Sequence, residues 1–213
     1  MRSRPAEVIA HRGFHVTVPE NSVEAFAAAV ALGVDMVELD VQETADGELV
    51  VLHEDVGDRT FAELRAPRLS EALAVLDGVG VDVEIKRASA GKLAAALAET
   101  GVPHVVTSFD PDALRRYRAE APATRRGLIV EDADSDPASL VRAAAGAGAD
   151  FLVLEEAFAS DEALRAAFEL GPPLVWSVND EASLRRLLAH PEVGGVITDR
   201  PDLALAVRRA LAR

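Results

Sequence analysis

The chain contains no cysteine. Disulfides, zinc–thiolate sites and a thiol nucleophile are therefore excluded. Aromatic residues are scarce, at 4% of 213 residues, and no stretch interleaves them with basic residues as a nucleic-acid surface would. Positive charge is the minority sign: 22 Lys and Arg stand against 36 Asp and Glu, for a net charge of -14. That balance repels nucleic-acid phosphates and anionic membranes alike. A phosphate group must then be gripped by local positive charge, or by a bound cation that inverts the local electrostatics. No long apolar run occurs, so no transmembrane helix is expected. Residues 1–8, MRSRPAEV, are too polar to open a signal peptide. The expectation is a soluble cytoplasmic protein with neither nucleic-acid nor integral-membrane partners.

Hydrophobic residues make up 49% of the chain, enough for one sizeable core, and nothing divides residues 1–213 into more than one domain. Short apolar runs alternate with longer helical patterns. Strands are expected at 7–11, 35–41, 50–53, 81–86, 104–109, 126–130, 150–155, 174–178 and 194–199. Helices are expected at 22–33, 70–78, 88–101, 111–122, 138–148, 161–171, 181–191 and 203–212. Ser22 or Asn21 can cap the first helix and Gly33 can end it. Pro111 follows an Asp at the start of another.

Eight parallel strands alternating with helices close into a barrel. The ninth, at 50–53, follows 35–41 after a short turn holding Asp46-Gly47. That link is too short for a parallel crossover, so the pair should be an antiparallel excursion from the barrel mouth, bringing His53 back to it. The strands read as Val-, Ile- and Leu-rich rather than alternating, as strands covered by helices do. The fold class is therefore α/β, a (β/α)8 TIM-type barrel with a short antiparallel excursion after the second strand. An open doubly wound sheet is the competing architecture.

Polar residues gather at the carboxyl ends of the early strands: His11 and Arg12, Glu38 and Asp40, His53, Glu84 and Lys86. In a barrel those ends share one rim, where active sites form. Glu38 and Asp40 lie two apart on one strand and so face the same side, as do Glu84 and Lys86. Three carboxylates converging from two strands make the oxygen-rich set that Mg²⁺ or Ca²⁺ takes. A structural ion network at a barrel end is the alternative. His11 and His53 suit acid and base roles near neutral pH; metal ligation or a core hydrogen bond is the alternative for each. Arg12 has the fork geometry for phosphate, or for pairing with Glu38 or Glu84. Lys86 can offset the crowded carboxylates or reach a phosphate as a point charge.

The pieces HRG at 11–13, PEN at 19–21, ELD at 38–40 and the returning His53 resemble the opening of the glycerophosphodiester phosphodiesterase family. The resemblance continues through Arg59-Thr60, VEIK at 83–86, SF at 108–109, VWSVN at 175–179 and GVITDRPD at 195–202, in the family's order over nearly the whole chain. It implies a (β/α)8 barrel that hydrolyses small-molecule glycerophosphodiesters to an alcohol and glycerol 3-phosphate. By the same resemblance, a divalent metal sits on Glu38, Asp40 and Glu84, and His11 and His53 are the general base and acid, in that or the reverse assignment. Arg12 matches a phosphate contact, Lys86 a position near the site, Glu20 and Asn21 the first loop, with Glu20 a further candidate near the metal, and Trp176 an aromatic lining the pocket, with core filling as its alternative. Attack by the neighbouring glycerol hydroxyl, through a cyclic phosphate, is what the family implies.

Two departures stand out. Glu54 follows the returning histidine where the family usually has Asp, and the segment RTFAELRAPRLSEAL runs almost straight into its helix where relatives carry a longer insertion. A shortened mouth loop makes a phospholipase D-like enzyme acting on lysophospholipid or sphingolipid one alternative, expected to show an apolar patch beside the mouth. A non-catalytic barrel binding phosphorylated ligands is another. Ser108, Asp110, Asn179 and Asp199 also fall near strand ends, where they can line the pocket or only cap helices; for Asp110 and Asp199 capping is the favoured expectation.

Overall fold

A computed structural model describes residues 5–131 and 136–213. The first four residues of the polar MRSRPAEV segment lie outside that range. The strands are β1 (Glu7–Ala10), β2 (Met36–Glu43), β3 (Leu49–Val51), β4 (Gly80–Arg87), β5 (His104–Ser108), β6 (Arg126–Val130), β7 (Phe151–Glu155), β8 (Leu174–Trp176) and β9 (Gly195–Thr198). The helices are α1 (Val23–Leu32), α2 (Leu69–Ala74), α3 (Ala90–Thr100), α4 (Pro111–Glu120), α5 (Pro137–Ala147), α6 (Asp161–Phe168), α7 (Glu181–Ala189) and α8 (Pro201–Leu211).

β1 pairs in parallel with both β2 and β9, so the sheet closes on itself. β3 pairs antiparallel with β2 outside that ring, through Val41↔Val51 and Glu43↔Leu49. The architecture is the eight-stranded parallel barrel with one excursion, and the open sheet is ruled out by the β1–β2 closure. Capping follows the sequence signals. Ser22 accepts from the backbone of Ala25 at the start of α1, Gly33 ends it with a left-handed φ of 80°, and Asp110 caps α4 ahead of Pro111. Expected strand 174–178 stops at Trp176, and expected helix 70–78 stops at Ala74.

The core has two compartments. Val8, Val37, Leu39, Val81 and Val83 point outward into the layer beneath the helices. Ile9, Ile129, Phe151, Val153, Leu174 and Ile197 fill the barrel itself. The expectation of non-alternating strands fails at β2 and β4. Their outward faces are apolar, but their inward faces read Glu38, Asp40, Gln42 and Asp82, Glu84, Lys86. Strict alternation survives here because one wall of the interior is polar. Space at the base is set by Gly127, paired with Phe151 on β7; a Cβ there would lie 2.4 Å from the Phe151 ring.

Candidate active site

β1 ends in a sharp turn that throws His11 and Arg12 over the barrel mouth. Arg12 adopts a left-handed φ of 54° and Gly13 one of 84°. Gly13 also lies so close to α1 that a Cβ would fall 2.7 Å from Ala25, which is why only glycine fits. The turn is tied down from below: the Arg12 backbone N–H donates to Glu38 Oε2 at 2.9 Å. The guanidinium donates to Glu20 at 2.8 Å and lies 3.1 Å from Asp40 Oδ2. Asn21, itself left-handed at φ 52°, donates from Nδ2 to Asp40 Oδ2 at 2.8 Å. Glu20 and Asn21 thus clamp the two groups between them.

Glu38, Asp40 and Glu84 are buried, and each offers an oxygen within 4.8 Å of the others. Lys86 Nζ lies 2.7 Å from Glu84 Oε1, off the hydrogen-bonding direction, and 3.4 Å from Asp40 Oδ1. Glu38 Oε1 has no hydrogen-bond partner. Burial, then the charges of Asp40 and Glu84, raise the Glu38 carboxyl well above the carboxylate range. Burial and Asp40 push Glu84 up to about 7 against the pull of Lys86. Burial by itself would lower Arg12 and Lys86, but their carboxylate neighbours outweigh it and raise both. The site is a crowd of negative charge that two cations only partly offset. Its oxygen-only donor set suits a hard divalent cation, and the cluster could hold one.

His11 Nδ1 meets Asp199 Oδ1 at 2.7 Å, and its Nε2 lies 3.9 Å from Glu38. Asn179 locks Asp199 by donating from Nδ2 at 2.7 Å and accepting from the Asp199 backbone N–H at 2.9 Å. His15 reaches the same carboxylate at 3.4 Å. The hydrogen bond from His11 holds the Asp199 carboxyl far below its usual range, against the effect of burial. Helix capping was the expectation for Asp199, and it is wrong: α8 takes Arg200 as its cap residue without a side-chain bond. The carboxylate is spent on His11 instead. Ser108 donates to the Ile85 carbonyl at 2.8 Å and accepts from Asp110 N at 3.1 Å, so it braces the β4–β5 ends rather than lining the cavity.

His53 stands across the mouth, on the strap that follows β3. Buried Gln42 pins that strap, donating to the carbonyls of Leu52 and Glu54 at 2.8 Å and accepting from Val56 N at 3.1 Å. Glu54 is exposed and held through its carbonyl. Burial lowers the His53 pKa, with Arg12 and Lys86 adding to that effect and Asp40 opposing it. A cavity of about 200 Å³ joins His11, Arg12, Glu38, His53, Glu84, Lys86 and Trp176. Trp176 is half-buried and meets Phe109 edge-on at 5.6 Å. A larger hollow of about 380 Å³ opens at the opposite, amino end of the barrel between Pro5, Met36, Phe151 and Pro172. It contains none of these residues, and the rim rule for barrels favours the smaller one.

Residues 11–65 and 76–203 match the model of the glycerophosphoryl diester phosphodiesterase family. The chain belongs to that family. It is 29% identical over 242 residues to a glycerophosphodiester phosphodiesterase of Caldanaerobacter subterraneus subsp. tengcongensis, covering 95% of this chain and 97% of that one. A crystal structure of a glycerophosphodiester phosphodiesterase from Agrobacterium tumefaciens superposes with a TM-score of 0.79 at 28% identity, covering 94% of this chain and 99% of that one. A putative glycerophosphoryl diester phosphodiesterase from Silicibacter pomeroyi gives 0.86 at 25% identity, covering 99% and 95%. Its activity is that of the family, hydrolysis of glycerophosphodiesters, a small-molecule class of substrate. Among the described residues no helix is long and apolar enough to cross a membrane. The family match breaks between 65 and 76, at the shortened link. A 3₁₀ turn at Phe61–Glu63 lies just before that break, and the break itself holds the bridge from Arg68 to Val50 and then α2.

Sequence reasoning missed Gln42, Asp82 and Phe109 at the site and misassigned Asp199. The even spacing of Asp82, Glu84 and Lys86 on one strand was a signal for the second of these.

Proposed function

We propose that this phosphodiesterase is metal-dependent and works by histidine general acid–base catalysis. The observation that carries the reading is the three-carboxylate cluster, Glu38, Asp40 and Glu84, with histidines on two sides of the same cavity. Mg²⁺ or Ca²⁺ held by these residues would supply electrostatic stabilisation of charge on the phosphoryl oxygens. The unpartnered Glu38 Oε1 and the upward pKa shifts of Glu38 and Glu84 support that fit, since a cation relieves both.

Arg12 binds a phosphoryl oxygen through its guanidinium, held at the cavity wall by Asp40 and Glu20. Lys86 shares that charge. His11 is the base: with Nδ1–H donating to Asp199, its Nε2 lone pair is left to take the proton of the attacking hydroxyl. His53 is the acid. Its lowered pKa makes the imidazolium a stronger donor, and its place on the outer strap suits a leaving alcohol. Attack by the adjacent glycerol hydroxyl, then water, releases the alcohol and glycerol 3-phosphate.

The lipid-cleaving alternative calls for an apolar patch at the mouth. Among the described residues of the β1–α1 loop, Val16 is the sole large exposed apolar side chain, at 59% exposure, which is no patch. Alcohol release from a panel of glycerophosphodiesters, with Mg²⁺, with Ca²⁺ and with EDTA, tests the proposal. His53→Ala and His11→Ala should each lower kcat by about 10²- to 10⁴-fold. Full turnover in EDTA, or in either variant, would remove the mechanism and leave the reaction class standing.

A further inference from the structure

β4 carries a fourth carboxylate on its inward face, one step deeper than Glu84. Asp82 is fully buried, at 0% exposure, and forms part of the wall of the mouth cavity. The β2–β4 register sets Glu38 opposite Asp82 and Asp40 opposite Glu84. The four carboxylates therefore form two rungs, one above the other, about 6–7 Å apart along the strands. Asp82 Oδ1 accepts from Thr107 Oγ1 at 2.8 Å. Asp82 Oδ2 has no partner, and neither does Glu38 Oε1 on the same rung.

Two orphaned carboxylate oxygens on one buried rung are expensive unless something joins them. With Glu20, which already pairs with Arg12, five carboxylates face two cations, Arg12 and Lys86, so negative charge is left over. A divalent ion offsets most of that excess. Asp82 is not among the residues whose oxygens gather within 4.8 Å of one another, so it does not join the inner ligand set. A water lodged between Asp82 Oδ2, Glu38 Oε1 and the ion would have the partners a buried water needs. We infer that Asp82 is the outer anchor of the cation site, holding the ion from its buried side through a bridging water. Thr107 holds Oδ1 and leaves Oδ2 free for that water. The inference rests on the divalent-ion reading above.

The rival arrangement is a proton shared between Asp82 and Glu38, with no part in ion binding. D82N separates the two. The amide keeps the bond from Thr107 and can donate to Glu38 Oε1, so it imitates the protonated acid while removing the charge. Mg²⁺ is titrated calorimetrically into wild type and D82N, and each is melted in EDTA. D82N should bind Mg²⁺ about 10- to 100-fold more weakly and melt in EDTA no lower than wild type. Unchanged Mg²⁺ affinity in D82N, with wild type binding, overturns this inference alone. A D82N protein that fails to fold in EDTA also overturns it, because Asp82 would then hold the barrel without an ion. Absence of Mg²⁺ binding by wild type overturns the divalent-ion reading and this inference together.

Discussion

The inward faces of β2 and β4 present Glu38, Asp40, Gln42, Asp82, Glu84 and Lys86, whereas those of β6 to β9 present mainly Ile129, Phe151, Val153, Leu174, Trp176 and Ile197, with Glu131 and Glu155 only at the mouth end. Outside the barrel the two walls are alike: both turn apolar side chains toward the helices. The difference therefore owes nothing to how the strands pack on their outer layer. It belongs to the cavity. The apolar wall excludes water from one side of the site and keeps the local dielectric low. Charges on the opposite wall then act at greater strength than they would in solvent. A charged wall facing another charged wall would be hydrated and weak, and an apolar interior on both sides would have nothing to grip a phosphate.

The strongest way to break this contrast is to remove charge from the polar wall. Glu38→Gln preserves the acceptor for the Arg12 backbone N–H but takes away a proposed ion ligand. Its kcat should fall by about 10³-fold or more, in keeping with the several kcal/mol such a cation supplies. Steady-state kinetics at saturating Mg²⁺ checks this; a loss of less than tenfold would mean that Glu38 is not part of the ion site. Next in size is Asp199→Asn. It disturbs the orientation of His11 without deleting the imidazole. A fall in kcat on the order of 10²-fold is expected, at the lower end of what proton transfer contributes, with KM nearly unchanged.

The apolar wall should answer with stability rather than rate. Gly127→Ala places a methyl group against the Phe151 ring, and overpacking of this kind costs about 1–3 kcal/mol. In a domain of this size that lowers the melting temperature by about 2–4 °C for each kcal/mol, while kcat of the folded enzyme stays near wild type. Equal losses of kcat and stability would show that the two walls are not separable. The mildest effect is on pH dependence. Asp82 and Glu84 are pushed up to about 7, so the folded protein takes up their protons at higher pH than the unfolded chain does. Stability in EDTA should therefore rise as pH falls through neutrality, toward the unfolded carboxylate range. Saturating Mg²⁺, which competes with those protons, should flatten or reverse the slope. Melting curves at pH values on either side of neutrality, with and without Mg²⁺, measure it.

Much of this was legible in the residues. Period-2 spacing by itself places Glu38 with Asp40 and Glu84 with Lys86, because a strand allows no other outcome. The turn at Asp46-Gly47 was too short for anything but an antiparallel return, and β3 pairs that way. Asp199 was read wrongly for a reason that is physical. An Asp just ahead of a helix looks like a cap, and the choice between its own helix and His11 depends on where β1 lies relative to β9. Gln42 was overlooked because its even spacing with Glu38 and Asp40 gives it a face but no task; that task, clamping residues 52–56, exists only once β3 has folded back.

By itself, then, the order of apolar and polar residues determined the strand and helix sequence, the parallel class of sheet, and which side chains share a face, since all of these follow from local periodicity and loop length. Closure decided the rest. Only when β1 paired with β9 as well as β2 did His11 meet Asp199, 188 residues away in the chain. Only the β2–β4 register stacked four carboxylates in two rungs. Contacts of that range depend on backbone hydrogen bonding around the whole ring, and no window of sequence contains that information.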